Sequence, residues 1–163
     1  MKKVILAAAL TMAACGGGKA VKSSGDETPD WVGQGTGEVS AEGGKKIQGV
    51  GSANGADAKA RRQQADAAAK SQMDGVVGSL SQALAKMSDS KKPDDVANLA
   101  KTAAAQSAQI RDHWVTGDGN EMSLDVLDLA AFKSALAGAD GDDKLKKEAA
   151  ANADKAFDQV AKK

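Results

Sequence analysis

The sequence predicts an α+β fold: a four-stranded antiparallel sheet made of two hairpins, with helices packed on one face. Three observations predict it. Apolar residues recur every three or four positions through a long alanine-rich stretch and again at the end of the chain. They alternate every second position in shorter stretches on both sides of that helical region. Glycine-rich turns join the alternating stretches in pairs.

Taken in order, the chain opens on a basic pair, Lys2 and Lys3, followed by an apolar run from Val4 to Leu10. Met12-Ala13-Ala14-Cys15 closes that run, and residues 1–14 read as an export signal. A cysteine behind two small residues resembles a bacterial lipobox, with Met12 where leucine is usual. That resemblance implies cleavage before Cys15, a diacylglycerol on its sulfur and an acyl chain on its new amine. An ordinary signal with a nearby cysteine is the alternative. Gly16 stands where an aspartate would signal inner-membrane retention, so the outer membrane is expected, with the domain facing the periplasm.

Residues 15–28 are expected to form a lipidated cysteine and a flexible tether of glycine, serine and charge. Pro29-Asp30-Trp31-Val32 ends the tether, with the Trp31 indole expected to pack on the domain edge. Thr36–Ser40 and Lys46–Ser52 read as the first hairpin, turning through Gly43-Gly44. A helix capped by Asn54 then runs to about Ser88, with Ala65, Ala69, Met73, Val76, Val77, Leu80, Leu84 and Met87 on one face. Arg61, Arg62, Asp66 and Lys70 fall on the other side. At about 1.5 Å per residue this helix is longer than a domain of this size, so a bend or an overhang is expected near Gly75 and Gly78. Close packing of the helix on the sheet is the favoured use of those two glycines.

Pro93 starts a second helix carrying Val96, Leu99, Ala100 and Ala103. Ile110 and Trp114 are then placed on one face of a strand, with Arg111, His113 and Val115 on the other. Met122, Leu124 and Val126 alternate in its partner across the turn Thr116-Gly117-Asp118-Gly119-Asn120. Leu129, Phe132 and Leu136 mark a short helix ending at Gly138. Leu145, Ala149, Ala153, Phe157 and Val160 define a C-terminal amphipathic helix within residues 139–163.

Composition narrows the function. The charges balance at 22 Lys+Arg against 22 Asp+Glu, and loss of the leader leaves a slight negative excess, so no field gathers nucleic acid. Cys15 is the one cysteine, which excludes an internal disulfide and a cysteine-based zinc site. Beyond the leader no apolar run reaches the ~18 residues of a spanning helix, leaving the lipid as the membrane contact. Leu, Ile, Val and Phe together fall below about a fifth of the mature chain, which predicts a thin core and modest stability.

The candidate sites are few. Gly49, Gly51 and Gly55, between a strand and a helix, could admit a pyrophosphate, but the order of elements and the lack of a placed acidic residue favour close packing. His113 is the sole histidine; Asp112 should point to the opposite face, so a surface role is expected for His113. Asp118-Gly119-Asn120-Glu121 and Asp140-Gly141-Asp142-Asp143 resemble pieces of calcium loops without their register and read as turns. Lys144, Lys146 and Lys147, among Asp142, Asp143 and Glu148, read as a solvated face. No catalytic, cofactor-binding or metal-binding residue is assigned; lipid attachment at Cys15 is the one site, and no cofactor beyond that covalent lipid is expected.

Several pieces coincide in order and spacing: Pro29-Asp30-Trp31-Val32, Gly49-Val50-Gly51-Ser52-Ala53, Ile110-Arg111-Asp112-His113-Trp114-Val115, and Leu127-Asp128-Leu129 leading to Phe132. Over residues 29–138 the chain resembles the LPP-twenty family of bacterial outer-membrane lipoproteins. The resemblance implies a small, non-enzymatic envelope lipoprotein with a structural or adaptor role and an envelope protein partner. Gln48 and Met122-Ser123-Leu124 stand where the family tends to place aromatics. A periplasmic carrier or sensor of small ligands, with the Gly49–Gly55 turn and Trp114 lining its pocket, is the alternative.

Overall fold

The structure is a computed structural model and describes residues 22–23, 27–37, 39–40 and 44–161. The leader, Cys15 and the turn at 41–43 lie outside the described residues. The elements run β1 (Lys22–Ser23), α1 (Asp30–Gln34), β2 (Val39–Ser40), β3 (Lys46–Ala53), α2 (Ala58–Met87), α3 (Pro93–Ser107), β4 (Gln109–Val115), β5 (Glu121–Asp128), α4 (Leu129–Gly138) and α5 (Asp143–Ala161).

The class is α+β, but the sheet is not the four-stranded one expected. Its body is a three-stranded antiparallel sheet in the order β4-β5-β3. The two-residue segments β2 and β1 add short pairings along its outer edges. Only the β4–β5 hairpin forms in full. The expected strand at 36–40 fails because its glycine leaves the extended region: Gly37 has φ 85°. In place of a ladder, the Gly37 amide donates to the Gln48 carbonyl at 2.8 Å, and the Thr36 hydroxyl accepts from the Val50 amide at 2.9 Å. The chain here follows β3 as a turn.

Helix α2 covers one face of the sheet, and the strands beneath it are shaped for contact. A Cβ added at Gly49 would lie 2.7 Å from the Ala69 carbonyl oxygen and 2.8 Å from the Met73 amide. One at Gly51 would meet the Ala69 amide and the Ala65 carbonyl closer still. Backbone therefore rests on backbone, the packing role expected for these two glycines. Gly75 and Gly78 have no such role, since a Cβ at either would meet nothing within 4 Å. The expectation of tight packing there is corrected: the sheet supplies the glycines and the helix supplies Ala65 and Ala69.

The long helix is unbroken and overhangs. At about 1.5 Å per residue, α2 spans ~45 Å, whereas an eight-residue strand covers about 26 Å. Its last turns leave the sheet and are covered by α3 and α5, with α4 packed in turn on those two helices. Leu80, Leu84, Val96, Leu136, Phe157 and Phe132 are buried there in one cluster, which reaches the sheet at Ile47 and Leu127. The rings of Phe132 and Phe157 lie 5.7 Å apart. α5 shares this core. The cap of α2 is Asp57, whose carboxylate accepts from the Ala60 amide, and not Asn54. Asp57 stands one residue before the first helical turn, the position from which a side chain reaches the free amides.

The other face of the sheet holds a second, smaller cluster of Trp31, Trp114, Leu124 and Val126. The Trp31 indole packs inward, as expected, from an unforeseen five-residue helix, α1. Part of the predicted tether is tied down as well, because Lys22–Ser23 pair with β4.

Candidate functional site

Two places concentrate polar side chains: the interface between the first half of α2 and the sheet, and a groove between α3 and α5.

The first arises from strand register. A bulge between Ile110 and Asp112 shifts β4 by one residue. Ile110 then pairs with Asp125, His113 with Ser123 and Trp114 with Met122. The expectation that Ile110 and Trp114 share a face is corrected, because the extra residue at Arg111 reverses the alternation. Trp114 belongs to the cluster beneath the sheet, while His113 turns up towards α2. Asp112 and His113 do diverge, and the Trp31 indole donates to Asp112 at 3.4 Å on the opposite face.

His113 is not a surface residue. Its side chain is 13% exposed, and both ring nitrogens are engaged. Arg62 Nη2 lies 2.7 Å from Nδ1, and Asp66 Oδ1 lies 2.7 Å from Nε2. A guanidinium only donates, so Nδ1 accepts and Nε2 carries the hydrogen given to Asp66. The same Asp66 oxygen accepts from the Ser123 hydroxyl at 2.6 Å. Arg62 and Asp66, one helical turn apart, are thus drawn onto the sheet and away from the solvent face expected for them.

The chemistry of this cluster follows from its connectivity. The carboxylate sits in the middle, with serine and histidine both bound to it. A nucleophilic serine needs its hydroxyl on the base, whereas Ser123 donates to Asp66 and is fully buried. The three hydrogen bonds, running Arg62–His113–Asp66–Ser123, tie α2 to β4 and β5.

Charge continues along β5 on both sides of Ser123. Glu121, 3% exposed, faces Arg61 Nε at 3.5 Å, and the Arg61 Nη1 group donates to the Gly55 carbonyl at 2.7 Å. Asp125 is buried opposite Gly49, and its Oδ1 has no hydrogen-bond partner among the described residues. Burial pushes the Asp125 carboxyl above the usual aspartate range, opposed by the Val126 amide and by the Lys70 charge.

The groove lies at the far end of α2, bounded by the α2–α3 connection, α3 and α5, with a volume of about 1350 Å³. Met87, Leu99 and Leu145 are half-buried along it, and Lys91, Lys92 and Lys144 stand on its rim among acidic residues. Glu148 of α5 closes one side by accepting from the Ser88 hydroxyl at 2.8 Å. Of the predicted lysine face, Lys144 and Lys147 are exposed, while Lys146 pairs with Asp143 at 2.7 Å and donates to the Ala139 carbonyl.

The remaining candidates fall out as turns. Thr116 to Asn120 is a closed hairpin loop, with the Asn120 amide group donating to Asp118 at 2.7 Å. The Thr116 hydroxyl, also bonded to Asp118, holds that exposed carboxyl below the usual range. Asp142 caps α5 by accepting from the Lys144 amide at 2.7 Å. Among the described residues no group of three or more His, Cys, Asp or Glu is placed to hold a metal ion, and no helix is long and apolar enough to cross a membrane. Gly49 and Gly51 lie under α2 and Trp114 points to the opposite face, so they cannot line one pocket.

Sequence reasoning missed Arg62, Asp66 and Ser123 as partners of His113. The available signal was spacing: Arg62 and Asp66 flank Ala65 and Ala69 of the buried stripe, and Ser123 lies two and four residues from Asp125 and Leu127 on one strand face. No protein-family model, curated protein or solved structure matches this chain.

Proposed function

We propose that this chain is a lipid-anchored lipoprotein of a bacterial envelope, expected at the outer membrane with its domain in the periplasm, acting as a structural or adaptor protein without catalysis. One observation carries the reading: a basic start and an apolar run closing on Ala13-Ala14-Cys15, with Gly16 directly after. The resemblance to the LPP-twenty family over residues 29–138 supports it, as does the Arg62–His113–Asp66–Ser123 cluster, in which Ser123 donates to a carboxylate and not to the histidine. Each acyl CH₂ buried in a bilayer contributes about 0.8 kcal/mol, so two or three chains on Cys15 anchor the protein without help from the fold. The partner, an envelope protein, is expected at exposed helix ends. The underside of the sheet is an unsuitable contact because Trp31 and Trp114 are already buried there.

The test is Cys15→Ala. Fatty-acid labelling should disappear, and the protein should leave the membrane fraction as precursor or soluble product. Unchanged labelling or unchanged fractionation overturns the proposal.

A further inference from the structure

We infer that the domain hangs from the bilayer by one pole: the end carrying the β4–β5 turn faces the membrane, and the α3/α5 groove opens away from it. This rests on the lipid anchor at Cys15 proposed above. The new observation is where the chain first joins the fold. Lys22 and Ser23 pair in parallel with Trp114 and Val115, at the end of β4 next to the turn 116–120. Cys15 is seven residues before Lys22, so a fully extended leash reaches at most about 25 Å from that edge.

The rest of the body is longer than the leash. Arg62 touches His113, one residue from the attachment, which places the start of α2 at the same pole. From Arg62 to Met87 the helix rises about 37 Å, and Met87 borders the groove. A body tied at one end of its long axis by a shorter leash keeps that end at the surface. The bilayer is the partner of the turn pole, and the groove is presented to whatever lies further into the envelope. Had residues 15–28 all been free tether, their fully extended reach of about 45 Å would exceed the rise of α2 from Arg62 to Met87, and no pole would be favoured.

The experiment uses the full lipidated protein in phosphatidylethanolamine/phosphatidylglycerol vesicles carrying a headgroup energy acceptor. Cys15 is blocked by its thioether, so a cysteine introduced by Asp118→Cys at the turn, or by Lys91→Cys at the groove, takes a single donor dye. Both replaced side chains are exposed. Energy transfer should be at least twofold greater from position 118 than from position 91. Equal or reversed transfer in protein that floats with the vesicles overturns the orientation and leaves the anchor standing. Failure of both variants to float overturns the anchor, and the orientation with it. Fifteen Gly/Ser residues inserted after Lys19 should bring the two positions to equal transfer; a persisting difference overturns the leash as its cause.

Discussion

Over its first turns α2 lies on glycine backbone and buried charge; over its last it lies among Leu80, Leu84, Phe132 and Phe157. The first half is held by close approach. It buries little side chain, because Gly49, Gly51, Ala65 and Ala69 have little to bury, and polar side chains fix its register. The second half is held mainly by area, and hydrogen bonds from α5 reach only its end, where the Asn152 side chain donates to the Met87 carbonyl and Glu148 accepts from the Ser88 hydroxyl. A chain poor in large aliphatics has spent most of them on the overhang, where no sheet supports the helix, and has let backbone contact serve where the sheet does.

The larger loss of stability is expected on the apolar side. Phe132→Ala removes a fully buried ring from between α4 and α5, and should destabilise the domain by about 3–5 kcal/mol in urea unfolding. That is a large share of the ~5–15 kcal/mol of an ordinary domain. On the glycine side, Gly51→Ala drives a methyl into the Ala65–Ala69 backbone, which has no side chain to swing aside. Overpacking of this kind costs about 1–3 kcal/mol, and the helix itself must move. The two variants therefore differ in kind: Gly51→Ala should shift the His113 ring resonances in NMR, and Phe132→Ala should leave them in place. Ring shifts equal in both would mean that α2 responds as one rigid unit and that its halves are not independent.

Buried charge gives the smaller, pH-dependent contrast. Burial raises the Asp125 carboxyl, so the folded chain holds a proton to a higher pH than the unfolded chain does. Between the ordinary value near 4 and the raised one, the folded state binds more protons. This group's contribution to stability is therefore best at low pH, falls as pH rises through that window, and stays low above it. Asp125→Asn removes the charge and keeps an oxygen to accept from Val126. Its melting temperature should exceed that of the parent at pH 7, and the difference should vanish below about pH 4. A gain independent of pH would assign the effect to packing.

The same division decides what could be read in advance. Helical periodicity placed α3, α4, α5 and the buried stripe of α2, because on the apolar side burial and hydrophobicity coincide. It failed where polar residues are buried. Arg62, Asp66, His113 and Ser123 are each ordinary surface types, and only the fold brings residues 47–57 positions apart into one cluster. The bulge at Arg111 has no pattern in its own strand, yet it decides which way His113 and Ile110 point. Gly37 hid the loss of a strand, since a positive φ in one residue ends a ladder that composition alone allows.

The smallest effect lies where α2 touches nothing. Gly75 and Gly78 sit in the helix interior with open space where a Cβ would be, so the chain accepts two poor helix formers without using them for packing. Each lowers helix stability by about 0.5–1 kcal/mol relative to alanine. Gly75→Ala and Gly78→Ala should therefore each stabilise the domain by that amount, the opposite sign from Gly51→Ala on the sheet below. One chemical change, a single added methyl, then has opposite effects at two sites of the same helix–sheet unit. If Gly75→Ala or Gly78→Ala destabilises instead, the outward side of α2 is packed against something, and the helix is held on more faces than the sheet, α3 and α5 supply.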